Sequence, residues 1–256
     1  MNADPLGALR GRFCLTRGAG DPAPRGARLP VISHPRQTTP LKPTAPPVRL
    51  PALTGASPAT IEQLVATLLL LLLIDDSGSM YGRYGDDAGI RYAAARSLLD
   101  LVARHGRARA GVVHWGSHVG EVVSPVDVRR DRRQLHQALR IPPTLGGNDL
   151  PTALRRAANL LPAALTDQVP LVFVLTDGCE PITTAMHDAV VALPPGAVHV
   201  ALIDRSHALD SASEAAWRTL ALGSFTRLDL DTTTLARQLA DVVARALGLH
   251  LPSITS

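Results

Sequence analysis

Residues 68–80 read Leu-Leu-Leu-Leu-Leu-Leu-Ile-Asp-Asp-Ser-Gly-Ser-Met. The apolar residues Leu68–Ile74 leave no polar face, so the segment is expected as a central strand covered on both sides. The whole apolar run Val65–Ile74 is ten residues long, and a membrane-spanning helix needs roughly 20. It is therefore read as a buried strand, not a membrane span. Where the run stops, Asp75 offers a carboxylate and Ser77 and Ser79 offer hydroxyls. Gly78 lies between the serines and lets the backbone turn.

Outward from this stretch, apolar runs alternate with helical patterns. Ile90–His105 carries apolar residues at helical spacing and stops at Gly106. Ala110–Trp115 and Val119–Val123, joined by Gly116-Ser117-His118, predict a hairpin. Asp131–Leu139 and Leu150–Leu161 predict helices, the second with Asn148 or Asp149 as its cap. Leu171–Thr176 and Val198–Ile203 are further buried strands, with Phe225–Leu230 as a short edge strand. Helices are expected at Thr183–Leu193, Ser211–Leu222 and Thr232–Leu247. The expected fold class is α/β and Rossmann-like. It is a doubly wound, mostly parallel six-stranded sheet with one antiparallel edge strand and helices on both faces.

In such sheets ligands bind at the C-terminal ends of the strands. Asp75 ends one buried strand, and Leu175-Thr176-Asp177-Gly178 brings a second aspartate to the end of another. Between them lies Gly146-Gly147-Asn148-Asp149-Leu150, a glycine-bearing loop that feeds a helix. Oxygen donors of this kind suit a hard cation and not zinc or copper.

These three segments together resemble the von Willebrand factor A-type (VWA) family and its metal-ion-dependent adhesion site (MIDAS). The resemblance covers about residues 65–248. It assigns Asp75, Ser77 and Ser79 to the first metal loop and Asp177 to the third. Asn148 stands where the family has threonine, and Asp149 is read as a helix cap. The resemblance implies Mg2+, with Mn2+ or Ca2+ as substitutes. It also implies a protein partner whose Asp or Glu completes the metal shell, a non-enzymatic role, and a last helix that moves on ligation. A narrower version places the chain beside an AAA+ ATPase. There is no GxxxxGK[ST] loop, so the chain is not that motor.

Composition bounds the rest. The net charge of +4 is uneven, because residues 1–60 hold seven Arg and Lys42 against Asp4 and Asp21. The remainder is slightly acidic, which argues against a nucleic-acid-binding domain. Eleven of the 21 prolines fall within residues 1–58, so residues 1–59 are expected to be a disordered tail. Residues 60–250 are expected to form the VWA domain and 251–256 a short C-terminal tail. No secretory signal is read at the start, and the expected setting is cytoplasmic and bacterial. Cys14 and Cys179 suggest neither a disulfide framework nor zinc.

Two other functions compete. A VWA scaffold that has lost its metal through Asn148 would be degenerate. A metal-dependent phosphohydrolase with Asp75 as nucleophile would want an acid two residues later, where Ser77 stands, and a basic group. His114 and His118 are read as strand and turn residues. Arg129, Arg130, Arg132 and Arg133 are read as a solvated face, and Trp217 as a packing residue.

Overall fold

The computed structural model describes residues 42–81, 85–161, 167–203, 210–229 and 231–253. Six strands form one sheet: β1 (Leu68–Asp75), β2 (Arg109–Trp115), β3 (Val119–Asp127), β4 (Val169–Thr176), β5 (Val198–Ile203) and β6 (Ser224–Leu228). Their order is β3-β2-β1-β4-β5-β6. Only β3 runs antiparallel, as the hairpin partner of β2 at one edge. The expected fold class holds, down to the single antiparallel edge strand.

The eight residues of β1 are all buried, and alternation along the strand feeds two separate cores. Leu68, Leu70, Leu72 and Ile74 pack with α1 (Pro58–Ala66), α2 (Ile90–His105), α3 (Arg132–Ala138) and α7 (Thr232–Ala246). Leu71 and Leu73 pack with α4 (Leu150–Leu160), α5 (Thr184–Val191) and α6 (Ser211–Trp217). Trp217 is buried in the second core, as expected of a packing residue.

The order of strands reverses between β1 and β4. The chain leaves β1 toward β2 and returns to β4 on the other side. That junction is the crevice where sheets of this kind bind ligands, and every loop named in the sequence reading starts or ends beside it.

Three expectations meet the structure at particular residues. The apolar run beginning at Val65 is not all strand. Val65 and Ala66 close helix α1, which the sequence reading did not foresee, and β1 begins at Leu68. Ser57 caps α1 by accepting from the Thr60 amide, with proline at the first helical position. Gly78 lies, as expected, in a tight turn, the 3-10 turn Gly78–Met80. Third, residues 42–57 fall in the expected tail but run extended against the fold. Leu50 and Leu53 are buried in the first core. Val48 N donates to Ser97 Oγ at 2.9 Å and Leu53 N to His105 Nε2 at 3.0 Å. Arg104 Nη2 donates to the Leu50 carbonyl at 2.8 Å. Proline restricts the chain to extended conformations, and here the side chains of α2 satisfy the strap's backbone. Residues 1–41 and 254–256, Cys14 among them, lie outside the described residues.

Candidate metal centre at the sheet's C-terminal edge

The parallel pairing of Ile74 with Leu175 brings the ends of β1 and β4 side by side. Thr176 Oγ1 donates to Asp75 Oδ2 at 2.6 Å, and the Ser77 amide donates to Asp75 Oδ1 at 2.8 Å. Asp75 is fully buried. Burial is the larger cause, and the Asp177 charge the second, that push its pKa from the ordinary 3.8 to about 7. Asp177 therefore acts on Asp75 across the same crevice. Its own Oδ1 accepts from the Cys179 amide at 3.0 Å, which fixes the turn after β4.

The hydroxyls of Ser77 and Ser79 lie 3.0 Å apart. The second loop joins the first through main-chain bonds. Gly78 N donates to the Gly146 carbonyl at 2.5 Å, and Leu145 N to the Asp76 carbonyl at 2.9 Å. Gly146 has a φ of 83°, a left-handed conformation that suits glycine. Asp149 Oδ1 accepts from Thr152 N at 3.1 Å and so caps α4, as expected. Asn148 Oδ1 is buried and has no hydrogen-bond partner among the described residues. A buried acceptor left alone is costly, about 1–3 kcal/mol.

Asp75, Ser77, Ser79 and Asp177 thus share one edge, and the loop bearing Asn148 is tied to it. Among the described residues, no three His, Cys, Asp or Glu side chains gather as a metal cage. The donors here are two carboxylates, two hydroxyls and an amide oxygen. That set fits a hard cation.

Beneath the loops sits a charged network that the sequence reading missed. Asp76 points away from Asp75, as strand alternation requires, and is completely buried. It accepts from Arg91 Nη2 at 2.9 Å and from the hydroxyls of Tyr92 and Tyr81. His114 Nδ1 faces its other oxygen at 2.6 Å, while His114 Nε2 faces the Ala138 carbonyl at 2.7 Å. Both acceptors lack protons to give, so both ring nitrogens donate and His114 is an imidazolium. Arg91 Nη1 also pairs with Asp86 Oδ2 at 3.0 Å, and Asp86 caps α2 through the Ile90 and Arg91 amides. Two anions and two cations leave the buried cluster neutral. The signal in the sequence was Arg91, a charge set among the apolar positions of α2.

Glu180 accepts from Leu150 N at 3.0 Å, at the start of α4. Burial is the main cause, and Asp149 a lesser one, raising its pKa to about 7.

Geometry and sequence converge on one class. Residues 70–180 match the family model of the von Willebrand factor type A domain, and the six strands with their helices form a VWA-like α/β fold. Solved structures of similar fold include the pilus adhesin SpaC from Lactobacillus rhamnosus GG. It is 14% identical, with 77% of this chain and 31% of that one covered, at a TM-score of 0.54. A von Willebrand factor type A protein from Catenulispora acidiphila is 19% identical, over 72% and 43% of the two chains, at 0.53. The conserved hypothetical protein BatB from Bacteroides thetaiotaomicron is 14% identical, over 71% and 99%, at 0.55. This chain thus spans 31% of SpaC's length, and at these identities the likeness is one of fold. A search of curated proteins by sequence found no match. No helix among the described residues is long and apolar enough to cross a membrane.

Proposed function

We propose that this domain is a non-enzymatic, divalent-cation-dependent protein-binding module. Ser77, Ser79 and Asn148 would supply neutral oxygens, and Asp75 and Asp177 the carboxylates. Mg2+ suits such a set, and when bound it supplies an electrophilic position open to a carboxylate from another protein. The chain's own residues fix the loops: Thr176 and the Ser77 amide orient Asp75, and Gly146 holds the first loop by its carbonyl.

The observation that carries the reading is the buried, unpartnered Asn148 Oδ1. It stands on a loop bonded to the one bearing Ser77 and Ser79. An ion would satisfy it, so the amide in the threonine position counts for the site. A metal-free scaffold leaves this atom unexplained. No observation favours an AAA+ ATPase as the partner or a phosphohydrolase role.

Calorimetric titration of the chain with Mg2+ and Mn2+ tests this directly. Saturable binding is expected, and the Ser77→Ala, Ser79→Ala double variant should lose at least about tenfold in affinity with an unchanged melting curve. In the Mn2+-loaded chain, acetate should lower the water-proton relaxation by replacing a bound water. Binding that survives the double substitution would refute the site, and relaxation indifferent to acetate would refute the open position.

A further inference from the structure

The arginines of the 129–133 turn do not share one solvated face. Arg130 lines a depression with Arg107 and Arg109 beside β3. Arg132 and Arg133 turn instead to a separate open cavity of about 710 Å³, with Lys42, Arg96, His136 and Arg140. Five Lys and Arg side chains thus face one cavity, and the chain's single lysine is among them. The carboxylate bonded to them is Asp100 on α2, which accepts from Arg132 Nε at 2.8 Å and His136 Nε2 at 3.0 Å. Lys42, Arg133 and Arg140 form no ion pair among the described residues.

Arg96 makes this more than a charged surface. It is only 8% exposed. Its Nη2 donates to the carbonyls of Leu139 at 2.6 Å and His136 at 3.1 Å, which anchors it at the end of α3. Its Nε is buried without a partner. Burial, and after it the Arg140 charge, lower its pKa from the ordinary arginine value. A guanidinium held in place among four other cationic side chains favours an anion beside it.

We propose that this cavity binds a polyvalent phosphate-type anion. Guanidinium forks match pairs of phosphate oxygens. Among the described residues, the lining has no Phe, Tyr or Trp on which a nucleobase would stack. It also lacks the apolar anchors that centre a protein interface. An anion with two or more phosphate groups offsets the surplus charge and screens Arg96 from Arg140 electrostatically. The site is independent of the metal edge.

Calorimetry of the full chain with sodium tripolyphosphate, in metal-free buffer at low salt, tests the assignment. One-to-one saturable binding is expected, weakened at least about tenfold by Arg133→Glu with Arg140→Glu. Arg129→Glu with Arg130→Glu makes the same charge change on the adjoining turn and should cost less than about threefold. Melting curves establish that both variants fold. Should the first pair unfold, Arg133→Gln with Arg140→Gln carries the same comparison. Absence of saturable binding, or equal losses in the two pairs, overturns the site. An oligoglutamate peptide of equal charge binding as tightly as tripolyphosphate overturns the phosphate assignment.

Discussion

Asp75 sits where strand becomes loop, so the backbone fixes it and the core strips its solvent. Its pKa, pushed up to about 7, reflects burial first and Asp177 second. The folded chain therefore holds this proton more tightly than the unfolded chain does. Between about pH 4 and 7 this residue's contribution makes stability fall as pH rises. Asp177→Asn removes the repulsion and leaves the burial, so the Asp75 value should drop part of the way toward 3.8. Carboxyl-carbon NMR titration of wild type and variant reads this directly, and an unmoved Asp75 would show that the two groups do not interact. The aspartates and serines were legible because strand ends announce themselves as apolar runs that stop. Glu180 was not, since its meeting with the start of α4 depends on a loop packing 30 residues away.

Among the elements, the strap of residues 42–57 behaves least as its composition suggests. Proline-rich sequence with scattered arginine reads as unfolded chain, and nothing local distinguishes Leu50 or Leu53 from their neighbours. Their burial is supplied by a core to which distant elements such as α2 contribute. Leu53→Ala should cost about 2–5 kcal/mol, the range for emptying a core position. Urea unfolding measures it, and a loss below about 0.5 kcal/mol, the surface range, would show the strap to be dispensable. By contrast, α2 ended at Gly106 as its periodicity required, and the β2–β3 hairpin formed where the glycine-bearing turn placed it. Local patterns decided those elements, whereas distant partners decided the strap.

At the scale of the whole molecule, the buried cluster of Asp76, Asp86, Arg91 and His114 ties β1, β2 and α2 to the loop that precedes α2. Asp76 is held below the usual carboxylate range; burial opposes this, but hydrogen bonding from His114 and the Arg91 charge prevail. His114 is held above its ordinary value despite burial, by its bond to Asp76 and that group's charge. Tyr81, Tyr92, Arg91, Glu121 and the Ala138 carbonyl complete the surroundings that act on the pair. The imidazolium's contribution to stability is complete below about pH 6.5 and is lost as pH rises through the folded value. The Asp76 contribution is present above about pH 4 and is lost on acidification. His114→Ala should destabilise the fold by about 3–5 kcal/mol and flatten the loss of stability on the alkaline side. Urea unfolding at several pH values decides it; parallel pH profiles in wild type and variant would show His114 neutral. None of this pairing could be read along the chain, because its partners lie 15 and 38 residues apart and meet only once the sheet is assembled.

The end of the strap meets the segment that follows α7. Thr54 and His250 exchange two backbone hydrogen bonds of 2.9 Å each, beside the starts of the parallel strands and away from the ends that carry Asp75 and Asp177. A tug on the segment before the strap would meet Ala45 on Ala88, Val48 on Ser97 and Leu53 on His105 before it loaded this two-bond clasp or any strand of the sheet. A tug from the opposite rim would instead run lengthwise down β1 and β4, loading their ladder in shear, the direction in which many bonds must yield together.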